Sequence, residues 1–243
     1  MRAVLTFHGI DDTGSMLSMT AREFTALLAA LRARDVSIVP LGDVLDEAGA
    51  DDRVALTFDD GFASLRTAAL PILRDAGAPA TLFLTTGHVG GDNRWAGQPA
   101  SIPVFPMLRW DDVEALAAAG VAIEAHTVSH PDLRRLSDAA IDDELAGCDT
   151  EITRRLGRAP TAFAYPYGHL DVRVVTSARR RYRCALTTEL AWLPARGLDL
   201  LRVPRLDAFY LRAPALQRRF GSAGFRAFMH ARAAARAVRA RLE

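Results

Sequence analysis

At 243 residues, half of them apolar and about a quarter charged, the chain has the composition of one sizeable soluble globular domain. A formal net charge of +1 gives no case for a nucleic-acid partner, and no run approaches the roughly 18 apolar residues of a membrane-spanning helix. Every basic residue is an arginine, which reads first as compositional bias.

Strands and helices alternate along the chain. Residues 4–7 read as a strand, and Thr20 with Glu23 forms a capping-box helix start. The helix that follows places Phe24, Leu27, Leu28 and Leu31 on one face. Strands are expected at 36–39 and 54–58, and Leu65, Ala68, Ala69, Ile72, Leu73 and Ala76 mark an amphipathic helix that Gly77 ends. Next come a strand at 81–84, a helix at 111–119 stopped by Gly120, and a strand at 121–124. Ile141, Leu145, Cys148, Ile152 and Leu156 describe one long helical stripe. Further strands are expected at 162–164, 182–186 and 200–203, with a helix near 172–180. Residues 85–108, with three prolines and several glycines, read as a long loop on the rim.

Six or more strand–helix repeats over about 200 residues favour an α/β barrel over an open doubly wound sheet. No GxGxxG follows the first strand and no GxxxxGK[ST] occurs, which weakens nucleotide-binding alternatives. The division expected is one barrel domain over 1–210 and an Arg/Ala-rich helical tail over 211–243. That tail holds eight arginines against one glutamate, on a helical pattern with Phe225, Phe228 and Met229. It reads as a solvated helix packing its aromatic face on the barrel, or as a peripheral contact with anionic lipid or acidic glycan. Cys148 and Cys184 lack motif spacing and fit buried reduced thiols. One N-terminal arginine and a five-residue apolar run are too short for a signal-peptide core, so the chain reads as cytoplasmic, with the inner membrane face as its place of any lipid contact.

Ionisable residues sit where the strands end. His8 follows 4–7, Asp59 and Asp60 follow 54–58, His126 and His130 follow 121–124, and Tyr165-Pro166-Tyr167-Gly168 follows 162–164. In a barrel each would face one bowl. An HxxxH pair alone, or an Asp-Asp-Gly turn alone, is weak; both at strand ends are much stronger. Two imidazoles and a carboxylate are a common ligand set for a catalytic divalent metal. Of two adjacent aspartates, one can bind the metal while the other takes a proton from metal-bound water. The opening Leu5-Thr6-Phe7-His8-Gly9 echoes Leu56-Thr57-Phe58-Asp59-Asp60-Gly61.

Thr57-Phe58-Asp59-Asp60-Gly61, His126-Thr-Val-Ser-His130-Pro131 and Ala164-Tyr-Pro-Tyr-Gly168 resemble the first three motifs of the NodB-type polysaccharide deacetylases, carbohydrate esterase family 4. The resemblance covers roughly 1–210 and implies a distorted (β/α) barrel, single-domain, with metal-dependent removal of N- or O-acetyl groups from sugars. It implies Asp59 as base, Asp60, His126 and His130 as metal ligands, and the Tyr167 backbone N–H as oxyanion donor. Zinc is the first expectation for the metal, with cobalt, nickel or manganese open. Tyr165, Pro166, Trp95 and His169 are expected to line the sugar site.

Two positions depart from the family pattern. The arginine that commonly opens the third motif, orienting the base, is Ala164 here, and Arg205 is the expected substitute. The acid histidine of the last motif has no C-terminal equivalent apart from His230 in the basic tail. His8 after its apolar strand resembles a permuted branch, known among biofilm poly-N-acetylglucosamine deacetylases, in which this strand moves to the N-terminus. The substrate is expected to be an acetylated sugar or glycan intermediate, lipid- or nucleotide-linked. Two rival readings are hydrolysis of a small amide or cyclic imide on the same fold, and a non-catalytic glycan-binding role.

Overall fold

A curled parallel sheet forms the centre of the molecule, and its strands are apolar nearly throughout, as strands covered on both faces must be. The computed structural model describes residues 1–49 and 51–239. Strand β1 (Arg2–Phe7) is buried at every position. A short parallel pair, β2 (Gly9–Ile10) and β3 (Ser18–Met19), returns the chain to α1 (Ala21–Arg32). The capping box forms as expected: Thr20 Oγ1 accepts from Glu23 N–H, and Glu23 accepts from Thr20 N–H. Phe24, Leu27, Leu28 and Leu31 form the buried face of α1.

After β4 (Ser37–Ile38), α2 (Leu41–Leu45) and β5 (Arg53–Phe58), the expected helix over 65–76 forms in two parts. Its first turns, Leu65–Ala69, are widened to a π-helix before α3 (Leu70–Ala76). Pro71 has no N–H for Thr67 O and its ring crowds that carbonyl, which favours the widening. Gly77 ends α3 at φ 60°, a left-handed cap that suits glycine. The remaining elements are β6 (Thr81–Leu84), α4 (Trp110–Ala118), β7 (Ala122–Ala125), α5 (Asp138–Leu156), β8 (Ala162–Ala164), α6 (Val172–Arg179), β9 (Cys184–Leu186), β10 (Leu206–Asp207), α7 (Pro214–Gln217) and α8 (Ala223–Arg239).

The sheet order is β10-β1-β5-β6-β7-β8-β9, with β4 pairing beside β5. Val203 bridges Leu186 of β9 while Leu206 pairs with Leu5 of β1, so one short stretch touches both edges of the half-barrel. The strand expected at 200–203 is reduced to that single bridge. Asp199 folds a turn there, accepting from Leu201 N–H and Arg202 N–H, and Pro204 has no N–H to carry a ladder further. The strand that completes the sheet is β10 instead.

At the N-terminal end of the strands, the buried Arg2 guanidinium donates to the carbonyls of Val44, Leu45, Asp46 and Pro194. Along α8, Phe225 and Met229 are buried while Arg226, His230 and Arg232 are exposed. The last four residues of the tail, 240–243, lie outside the described residues. Among the described residues no helix is long and apolar enough to cross a membrane.

Candidate active site

The segments leaving the C-terminal ends of β1, β5, β7 and β8 bring the ionisable residues together. β1 and β5 run in register, Thr6 beside Thr57 and Phe7 beside Phe58, and Asp59 N–H donates to Phe7 O at 2.9 Å. His8 and Asp59 therefore hold equivalent positions just beyond neighbouring strands. Phe7 and Phe58 stack at 5.1 Å and both meet Phe24 of α1.

Arg205 holds Asp59 with two parallel bonds: Nη1 donates to Oδ1 at 2.8 Å and Nη2 to Oδ2 at 2.7 Å. Its Nε donates to Thr187 O at 2.9 Å, and Nη1 also reaches Thr57 Oγ1 at 3.3 Å. The pair is dry, with Arg205 1% and Asp59 4% exposed. Burial alone would push the Asp59 carboxyl up. The adjacent guanidinium, with His126 and His8 acting in the same direction, more than offsets this and holds it below the usual carboxylate range.

Asp60 lies between the two histidines. His126 Nε2 is 3.3 Å and His130 Nε2 3.4 Å from Asp60 Oδ1, and all three residues are buried. His126 Nδ1 is 2.8 Å from Ala164 O, which can only accept, so Nδ1 carries a proton there. In the neutral imidazole the Nε2 lone pair then faces the Asp60 oxygen. Lone pairs meeting at this separation need a cation or a second proton between them. The donor set, two imidazole nitrogens and a carboxylate, fits a divalent metal ion. Asp60 is held below the usual carboxylate range, burial being more than offset by the His126 hydrogen bond and the nearby histidines. Burial pushes His130 down to about 3, leaving it neutral as a ligand must be.

The backbone here is strained. Asp60, Thr127, His130 and Tyr167 all have positive φ, four of the five such non-glycine residues among those described. Each such position costs about 1–3 kcal/mol and persists only where surrounding bonds impose it.

From the rim loop, Trp95 lies with its ring 4.3 Å from that of His130, and Tyr167 approaches the same imidazole at 4.6 Å. Phe62, Phe105 and Met107 pack beneath this wall. Trp95 Nε1, Tyr167 Oη and His130 Nδ1 are buried and make no hydrogen bond among the described residues. His169 stands at the rim, its Nδ1 3.2 Å from Asp132 Oδ2, and Pro166 is buried under the third-motif turn. Tyr165 corrects the sequence expectation. Two residues beyond Phe163, it shares the core face of that strand, packs on Phe163 at 5.1 Å and donates its hydroxyl to Leu201 O. At 1% exposure it lies in the core and is out of a substrate's reach. The sequence reading also passed over Thr6 and Thr57, whose hydroxyls lie 3.5 Å from Asp59 Oδ2 and 3.3 Å from Arg205 Nη1. The repeated Leu-Thr-Phe was the available signal.

The chain resembles several solved folds. A Streptococcus pyogenes deacetylase, PplD, solved in complex with acetate, superposes with a TM-score of 0.72 at 23% identity, covering 85% of this chain and 91% of that one. IcaB from Ammonifex degensii gives the same TM-score and identity over 90% of this chain and 98% of its own. At this identity both likenesses concern the fold. A chitin deacetylase from Pestalotiopsis is 34% identical over 154 residues, 61% of this chain and 47% of that protein. The chain thus spans about half the length of that curated relative. The sequence profile of the polysaccharide deacetylases matches residues 46–182, the stretch from the strand before Asp59 to the residues beyond Tyr167. With that match over more than half its length, the chain belongs to the polysaccharide deacetylase family, NodB-type, carbohydrate esterase family 4.

Proposed function

We propose that the chain is a divalent-metal-dependent hydrolase that removes acetyl groups, N-acetyl foremost, from a sugar or glycan intermediate. The observation that carries this reading is the dry Arg205–Asp59 pair beside the Asp60, His126 and His130 group. Asp60, His126 and His130 would hold the ion, zinc first among the candidates. When bound, such an ion acidifies water and polarises the acetyl carbonyl.

Asp59 is the base. Arg205 keeps it ionised and oriented, and Oδ1 retains a lone pair after accepting from the guanidinium, while Oδ2 also accepts from Thr6. It takes the proton of the water that attacks the acetyl carbon. The Tyr167 backbone N–H donates to the oxyanion that develops. His8 then gives a proton to the sugar nitrogen as the C–N bond breaks, leaving acetate and a free amine. Arg205 stands in for the third-motif arginine that Ala164 lacks. The place of β1, between β10 and β5, supports the permuted arrangement in which the acid's strand opens the chain. Trp95 and His169 form the wall against which the sugar lies, and Pro166, buried in the third-motif turn, supports it from behind. The exposed Arg226 and Arg232 of α8 suit an anionic membrane surface bearing a lipid-linked substrate.

The test is acetate release from N-acetylglucosamine oligomers by the chain stripped with chelator and reloaded with zinc, cobalt, nickel or manganese. Activity should vanish on stripping, return on reloading, and be absent from metal-loaded Asp59→Asn. A metal-loaded chain inert on every acetylated sugar would overturn the reading; cleavage of small amides or cyclic imides instead would identify the rival hydrolase. Co-sedimentation with anionic vesicles, abolished in Arg226→Glu/Arg232→Glu, tests the membrane contact, and equal binding by that variant would remove it.

A further inference from the structure

The loop joining the two metal-ligating histidines is tied at nearly every backbone group. It contains two left-handed residues, Thr127 at φ 69° and His130 at φ 56°. Thr127 O accepts from Thr86 N–H at 3.2 Å and Val128 O from Gly87 N–H at 2.8 Å. Thr127 Oγ1 accepts from His130 N–H at 3.0 Å. The N–H groups of Val128 and Ser129 both donate to one oxygen, Glu144 Oε2, at 2.9 Å each. Ser129 Oγ donates to Glu144 Oε1 at 2.5 Å.

Glu144 comes from α5, at the edge of the face that Ile141, Leu145 and Cys148 bury in the core. The helix also packs tightly on the loop: a Cβ on Gly147 would lie 2.9 Å from Val128 Cγ2. On the opposite side a Cβ on Gly87 would lie 2.6 Å from Val128 O. The loop is thus held between a helix and the 86–88 turn, with one carboxylate taking the Val128 and Ser129 N–H groups together with the Ser129 hydroxyl.

We propose that Glu144 is the positioning residue of the metal centre. By gathering the Val128 and Ser129 donors it imposes the strained path that brings His126 Nε2 and His130 Nε2 to the same Asp60 oxygen. Without it two backbone N–H groups lose their acceptor, the left-handed residues relax, and His130 leaves its ligand position. Glu144 does not touch the ion or the substrate; it acts through the loop. The inference rests on the metal-binding reading of Asp60, His126 and His130, and not on the reaction.

The experiment measures cobalt or zinc affinity of the full chain by chelator competition, in the absence of substrate, for Glu144→Ala, Glu144→Gln and Glu144→Asp. Glu144→Ala should weaken metal binding about 10–100-fold, the usual effect of losing an outer partner of a ligand. At saturating metal its KM for an acetylated sugar should be unchanged while kcat falls. Glu144→Gln should stay within about threefold of the parent, because one amide oxygen can accept both N–H groups and the Ser129 hydroxyl can reverse to accept. Glu144→Asp, one methylene short, should fall with Ala and serves if the Ala chain fails to fold. Parent-like affinity in Glu144→Ala or Glu144→Asp overturns the proposal, as does a Gln variant as weak as Ala. Failure of the deacetylase reading would show in turnover alone, and failure of this one in affinity.

Discussion

The Arg205–Asp59 pair makes a quantitative prediction because it is almost fully buried, 1% and 5% by side chain, and doubly bonded. Removing one partner of such a pair strands the other charge in a dry site, at a cost of about 3–5 kcal/mol. Arg205→Met should therefore destabilise the metal-free chain by about that amount. For a domain of this size that lowers the melting midpoint by about 6–20 °C. Thr187 O loses its donor in the same variant. Asp59→Leu should cost a similar amount by leaving the guanidinium unpaired. The double variant Arg205→Met/Asp59→Leu removes both charges and should be less destabilised than the sum of the singles by about 2–3 kcal/mol. Urea unfolding of chelator-treated protein gives the three differences, and acetate release should be lost in all three. A coupling below about 0.5 kcal/mol would refute the claim that the pair is an energetically linked unit.

Three further outcomes follow from the geometry. His126→Ala should lose metal and turnover together, whereas His8→Ala should keep its metal and lose about 10²–10⁴ in kcat; near-normal turnover in the latter would remove His8 as the acid, and with it the permuted arrangement. Burial pushes the thiols of Cys148 and Cys184 up to about 12, so at pH 8 the thiolate fraction is about one in 10⁴. Neither should react with a disulfide reagent until the chain unfolds, and rapid labelling of native protein would show that the sites open. Tyr165→Phe should lose only its bond to Leu201 O, about 0.5–1.5 kcal/mol in unfolding experiments, with KM unaltered. A raised KM would return Tyr165 to the sugar site.

Much of the fold was legible because its signals are local. The Thr20–Glu23 box, the apolar face of α1 and the glycine stops after α3 and α4 are set within a turn or two of chain, by capping donors, helical period and the freedom of glycine. The misread places are those where a local pattern met a constraint from elsewhere. Residues 200–203 are apolar enough for a strand, but the Asp199 turn and Pro204 leave one bridge. Tyr165 belongs to the right motif, but the two-residue period of its strand aims it at Phe163 rather than at the pocket.

The candidate site divides in the same way. The sequence by itself determined which residue types gather at strand ends, Asp59 and Asp60, His126 and His130, and His8 in a stretch that echoes the aspartate strand. The parallel register of β1 and β5 then makes that echo a physical adjacency. The sequence also nominated Arg205 as the partner of Asp59, but only the tertiary structure brings its guanidinium onto that carboxylate, and only it decided which glutamate holds the loop between the histidines. Arg205 arrives from 146 residues away and Glu144 from a helix face. No spacing rule announces either, because each is selected by how the curled sheet closes and how α5 packs, and buried charges are tolerated only where that packing delivers a partner.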